Sequence, residues 1–271
     1  MSDLSPQFVC SFLAHEDGIT AAAFSPNGQI LATGGYDCKV RLWEVGTWRA
    51  RQVLAGHRRG EVAFSPDGRL LISGGLHKNA TLFETSDWQV FKTLEGTNGV
   101  WALAFRPDGS EIILVEPAEE IKERVHRPFE NWDTDTWTMT GTTDVGLDYV
   151  SGLDFSRDGK LAVFPHYPDG SVSVWLADFS QKIITFPAHH LATWRAVFSP
   201  DGAVLATGGA DNVARLWDTS NWSVLHELAH EALATEADIQ AGVLCTAFSP
   251  DGIWLLTGGL NGVLVVWQLC A

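Results

Sequence analysis

The chain has 271 residues, with 18 Lys plus Arg against 33 Asp plus Glu, giving a net charge of −15. A binder of phosphate backbones needs a basic face, so this balance excludes nucleic acid from the expected partners. With 45% apolar and only 19% charged residues the composition is globular, able to bury a core and unlike a disordered chain.

No apolar run approaches the length of a membrane-spanning helix, so no membrane partner is expected. Residues 1–10 lack a basic end followed by an apolar stretch and do not read as a secretory signal. Cys10, Cys38, Cys245 and Cys270 are scattered without a CxxC pair. Reduced thiols of a cytoplasmic protein are therefore expected, with no disulfide framework, metal site or cofactor. The 12 Trp and 26 Gly against 3 Tyr point to an architecture that uses Trp and Gly repeatedly.

In chain order, the first expected strand covers Phe8 to Leu13. A second runs from Ile19 to Phe24 and ends on the turn Phe24-Ser-Pro-Asn-Gly28. In such a turn Pro pre-sets φ, Asn or Asp bonds nearby backbone, and Gly accepts φ > 0. Ile30 to Thr33 follows, then Gly34-Gly35, then Val40 to Trp43 with alternating faces, then a strand from about Trp48 to Leu54. Four short strands bounded by turn residues read as one small antiparallel sheet.

The unit then recurs. The turn returns at Phe64 to Gly68, Phe105 to Gly109, Phe155 to Gly159, Phe198 to Gly202 and Phe248 to Gly252, with the Phe residues spaced 40, 41, 50, 43 and 50 apart. Nineteen residues after the repeat Phe stand Trp43, Phe83, Trp217 and Trp267. Trp175 stands at twenty and Trp132 at twenty-seven, which implies an eight-residue insertion in the third unit. Five residues further on come Trp48, Trp88, Trp137 and Trp222. These nine Trp are expected to pack between neighbouring sheets. The chain reaches Leu269-Cys270 after a third strand, leaving a fourth slot for Phe8 to Leu13.

The run Gly34-Gly-Tyr-Asp-Cys-Lys-Val-Arg-Leu-Trp-Glu44, its counterpart Gly208 to Asp218, and the six F-x-x-D/N-G turns together resemble the WD40 repeat. The resemblance spans about residues 8 to 270. It implies an all-β fold, a six-bladed WD40-type β-propeller in a single domain over residues 1–271. Each blade would be a four-stranded antiparallel sheet set radially around a central channel. The ring would be closed by the N-terminal strand, which removes an exposed sheet edge. Familiar WD40 rings more often have seven blades, but each interval between repeat Phe residues holds only one.

The resemblance also implies buried hydrogen-bonded tetrads. Blade one carries His15, Thr33, Asp37 and Trp43, and blade five carries His189, Thr207, Asp211 and Trp217. A His–Asp–Thr set is also a hydrolytic constellation. Its recurrence, and its closure by a Trp, favour a structural role, because a satisfied buried network stiffens a sheet. His77 and Asn261 stand where the Asp would be in blades two and six. One enzyme motif appears, His226-Glu-Leu-Ala-His230, which on a helix would present two zinc ligands and Glu227 as base. Here it falls in a fourth-strand slot, where residues four apart are about 13 Å apart along the chain, too far for one metal.

Trp101 and Trp194 depart from the repeat, four residues before the Phe, where other units have Thr20, Gly60, Ser151 and Leu244. Such positions should border the channel mouth and serve as binding anchors, with Arg195 beside one of them. Glu116, Glu119, Glu120 and Glu123 lie in the third-unit insertion. Glu231, Glu236 and Asp238 lie in the connection before blade six, on the same face. Arg58-Arg59 make a basic spot too small for nucleic acid. The opposite face, lined by the six turns, reads as uniform. The expectation is a non-catalytic protein–protein interaction scaffold binding a protein or peptide, with basic segments, on the channel-mouth face. It would act as a monomeric ring or a subunit of a larger complex. The alternative, an enzyme or small-ligand binder using the central channel, needs convergent His, Asp or Glu at the mouth. The aligned positions are poor in these.

Overall fold

The computed structural model describes residues 5–76, 79–95, 97, 99–116, 129–147, 149–230 and 242–270. The chain opens with β1 (Ser5–Leu13). Blade one is β2 (Ile19–Phe24), β3 (Ile30–Gly35), β4 (Lys39–Glu44) and β5 (Arg49–Ala55). Blade two is β6 (Glu61–Phe64), β7 (Leu70–Gly74), β8 (Asn79–Glu84) and β9 (Val90–Glu95). Blade three is β10 (Ala102–Phe105), β11 (Glu111–Val115), β12 (Phe129–Asp133) and β13 (Thr138–Thr143). Blade four is β14 (Asp154–Phe155), β15 (Leu161–Pro165), β16 (Ser171–Leu176) and β17 (Lys182–Pro187). Blade five is β18 (Thr193–Phe198), β19 (Val204–Gly209), β20 (Val213–Asp218) and β21 (Ser223–Ala229). Blade six is β22 (Val243–Phe248), β23 (Trp254–Gly259), β24 (Val263–Cys270) and, as its outer strand, β1.

Closure is as expected from the strand count. β1 runs antiparallel to β24, with Phe8 opposite Trp267 and Leu13 opposite Val263, so both ends of the described chain share one sheet. Burial is graded from hub to rim. In blade one, β3 is buried at every position, while the outer β5 buries only Leu54. Side chains alternate between the two faces of each blade and pack against the two neighbouring blades. Thus Ile30 and Ala32 join Val62, Leu71 and Phe83 of blade two, whereas Leu31 and Trp43 join Ala247 and Leu264 of blade six. The hydrophobic clusters therefore sit between blades, and removing any one blade would expose two of them.

The turn Gly residues lie at φ of 69–77°, the left-handed region that favours glycine. In the turn from Ser25, the Asn27 side-chain oxygen accepts from the Ser25 hydroxyl and the Gln29 N–H. The second Trp of each unit has an unexpected backbone. Trp48, Trp88, Trp137 and Trp222 lie at φ of 55–62°, each donating its N–H to the carbonyl four residues earlier. Left-handed backbone costs an ordinary residue about 1–2 kcal/mol. Ring packing offsets it: Trp48 meets Trp254 edge-on at 5.7 Å and Trp222 lies 5.5 Å from Phe186. Phe179 takes the same conformation in blade four.

Candidate functional site at the channel mouth

Blades one and five each carry a hydrogen-bonded set of His, Asp, Thr and Trp. His15 donates from Nδ1 to Asp37 (2.9 Å), and its Nε2 accepts from the Thr33 hydroxyl (2.8 Å), which in turn accepts the Trp43 indole N–H (3.0 Å). His189, Asp211, Thr207 and Trp217 repeat this at 2.8, 2.9 and 2.9 Å. The Gly-Gly pairs follow from this packing. A Cβ on Gly209 would come within 2.2 Å of His189 Nδ1. Burial lowers the His15 pKa, while hydrogen bonds from His15 and Arg41 hold Asp37 below the ordinary carboxylate range against its own burial.

The degenerate blades differ from the sequence expectation. In blade two the histidine is His57, only seven residues before Phe64, and its Nε2 donates to Asn79 (3.1 Å). His77 lies outside the described residues. In blade six Asn261 occupies the aspartate position, but its side-chain oxygen accepts the Val263 N–H. There Thr257 lies 3.3 Å from His230 Nδ1 and accepts the Trp267 indole N–H. Among the described residues of blade three neither a Thr nor a His accepts the indole N–H, and Trp132 donates to Glu130 (2.9 Å). His230 is thus the tetrad histidine of blade six. His226 sits in β21 opposite Leu216, so the H-E-x-x-H motif serves two different blades. Among the described residues no group of His, Cys, Asp and Glu is arranged to hold a metal.

The channel contains charges that the sequence alignment missed. Glu61 on β6 and Arg195 on β18 form a buried ion pair at 2.8 Å. Arg59, read from sequence as part of a surface spot, is also buried. Its guanidinium lies 3.4 Å from the Trp101 ring centroid and donates to the Trp101 carbonyl (3.1 Å). Burial pushes Glu61 up and Arg59 down, and each is countered by the opposite charges nearby. On β14, Asp154 accepts the Phe198 N–H at 2.9 Å, and burial pushes its carboxyl up to about 6. Burial also pushes the Cys245 thiol up to about 12, leaving no thiolate nucleophile. Glu61 and Asp154 thus add carboxylates at inner-strand positions other than the six aligned ones. The residues not expected from sequence, Glu61 and Cys245, stand three before the repeat Phe, as Arg195 does, one position further along the inner strand than Trp101 and Trp194.

A cavity of about 200 Å³ opens at the mouth, lined by Thr20, Arg59, Glu61, Trp101, Trp194 and Arg195. Both expected Trp therefore border one concave site, and both are half-buried. Trp194 stacks on Tyr167, with centroids 5.3 Å apart and planes at 22°. Arg195 is also in the site, although buried in its pair with Glu61. Small hydroxyls tie neighbouring inner strands there: Thr20 donates to the Gly60 carbonyl (2.8 Å), and Ser151 to that of Thr193 (2.5 Å). Glu116 follows β11 on the same face and is partly exposed. Glu119, Glu120, Glu123, Glu231, Glu236 and Asp238 lie outside the described residues.

Six four-stranded blades around a narrow channel define a six-bladed β-propeller. The family model for the WD domain, G-beta repeat, matches residues 6–44, 48–84, 180–218 and 233–268, more than half the chain. The chain belongs to the WD40 family. The matches pass over residues 85–179, which hold blade three and the first three strands of blade four. Among relatives, the eukaryotic translation initiation factor 3 subunit I of Aspergillus niger is 38% identical over 69 residues, 26% of this chain and 20% of the relative. That of Pyricularia oryzae is 31% identical over 77 residues, 28% of this chain and 22% of the relative. The chain thus spans about a fifth of the length of these relatives. The target of rapamycin complex subunit LST8 of Rattus norvegicus is 24% identical over 225 residues, 83% of this chain and 57% of the relative.

Proposed function

We propose that the protein is a non-catalytic scaffold that docks a partner protein or peptide on the channel-mouth face. The observation that carries this reading is the pair of half-buried rings, Trp101 and Trp194, flanking one cavity and each packed against a second side chain, Arg59 and Tyr167. Rigid aromatic anchors lose little entropy on binding and are favoured hot spots. The relatives are, by name, subunits of multiprotein assemblies, which supports a partner protein. The net charge of −15, with Glu116 on this face, favours a partner segment that mixes basic and apolar residues.

Affinity capture from the native source tests this, with wild type compared against Trp101→Ala/Trp194→Ala. The expected result is a partner retained by wild type and lost by the double variant. With that partner purified, Trp194→Ala should mainly speed dissociation, while Glu119, Glu120 and Glu123 changed to Gln should slow association and flatten its salt dependence. Equal binding by all three forms would overturn the reading.

A further inference from the structure

The turn face is not uniform. Between blades two and three it holds a cleft of about 610 Å³, a volume in the range of pockets that take ligand side chains. Its walls include Asp67 and Asp108 from the two inner turns, Glu84 and Asp135 from the two outer turns, and the aromatic pair Phe91 and Trp137. Phe91 is 45% exposed despite its size, and its ring meets Trp137 edge-on at 5.8 Å.

The charge is one-sided: the described lining residues set four carboxylates against Arg69, a net of −3. Asp67 uses Oδ1 to accept from Ser65 and the Arg69 N–H, and Asp108 uses Oδ1 to accept from Ser110. These turn bonds hold both carboxyls below their ordinary range, Asp67 despite its partial burial, so both are ionised near neutral pH. In each the second oxygen takes no part in the turn.

We propose that this cleft docks an extended segment of a partner protein carrying Arg or Lys beside an apolar residue. The carboxylates supply acceptors for the cation, and Phe91 and Trp137 supply ring faces and an apolar wall, the two groups such a segment needs. A second copy of the chain would bring another −15, and a nucleic acid would bring its phosphates, so both are disfavoured electrostatically. The site lies on the face opposite the channel mouth and stands independently of the function proposed there.

Selection of displayed random peptides on the intact protein, in about 0.15 M salt, tests it. The expected peptides pair Arg or Lys with an apolar neighbour. They should bind the triple variant Asp67→Asn, Asp108→Asn, Asp135→Asn at least about tenfold more weakly, and Trp137→Ala likewise. Asn preserves the turn, as Asn27 already does in blade one. The control triple, Asp158→Asn, Asp201→Asn and Asp251→Asn, removes the same charge from the turns of blades four to six and should bind as wild type. Failure to select basic peptides, or selected peptides that bind the cleft triple and the control triple equally, would overturn the proposal. Loss of binding in Trp194→Ala alone would also overturn it and move the site to the channel mouth.

Discussion

Arg195 and Glu61 are 134 residues apart in the chain and 2.8 Å apart in space. They belong to blades five and two, which face each other across a ring of six. The pair is therefore a strut across the channel, linking blades that share no hydrophobic cluster. Removing Glu61 leaves Arg195, with Arg59 nearby, buried without a carboxylate, which typically costs about 3–5 kcal/mol, whereas replacing both members of the pair by apolar residues is milder. Glu61→Ala should lower stability in urea by about that amount, and Glu61→Leu/Arg195→Met should recover most of it. Equal losses in the single and double variants would show that the pair is not coupled.

Two buried groups should give opposing pH dependences. Burial lowers His230 to about 4. The unfolded chain then takes up a proton that the folded chain refuses, and stability falls as pH drops from about 6.5 to about 4. Asp154 is raised to about 6. There the folded chain protonates first, and stability rises as pH drops from about 6 towards the ordinary carboxylate value near 4. At about 1.4 kcal/mol per pKa unit each effect is of order 3 kcal/mol. His230→Gln should therefore gain on wild type between pH 7 and 4.5, and Asp154→Asn should lose ground to it over the same range. Denaturation curves at the two pH values measure both signs.

Asp211 links His189 and Arg215, whose hydrogen bonds hold its carboxyl well below the ordinary range although burial pushes it up. Its contribution is present above the ordinary carboxylate pKa and is lost as pH falls through that range and below it. Asp211→Ala should cost about 1–3 kcal/mol at neutral pH by leaving buried donors unpaired. The difference from wild type should narrow in acid. An unchanged melting temperature would contradict a structural role for the tetrad.

Deleting residues 1–14 should leave an unstable or self-associating protein. It removes β1, bares the edge of β24 along residues 263–270, and takes away Phe12, which packs 4.9 Å from Trp43 of blade one. Size-exclusion chromatography with thermal melting checks this. A stable monomer would show that the ring does not depend on its N-terminal strand.

Residues at constant spacing were legible in the sequence. His15 and His189 both lie nine before the repeat Phe, and their partners follow in register. His57 and His230 occupy equivalent places at seven and eighteen before it, because the connections entering blades two and six differ in length. Hydrogen-bond geometry places the histidine ring against its Ser or Thr, and the chain length needed to reach that place is free to vary. At the site, Trp101 and Trp194 were recognisable as departures from the repeat. Arg195 was recognisable beside Trp194, but its partner Glu61 was hidden one position along from the Trp register, among Ala, Gly and Cys counterparts that carry no charge.

Turn chemistry and alternation of faces act over four to six residues, so the strands, the six units and the strand count that closes the ring can be read from the residues alone. Which groups meet between units depends on how the blades pack. The strut from Arg195 to Glu61 depends on how many blades complete the circle, since an odd number would put no blade directly opposite. The acidic cleft arises because turns from two successive blades are brought side by side with Phe91 and Trp137. Neither contact follows a repeat spacing, because each is set by the packing angle between whole sheets and not by the local conformation of the chain.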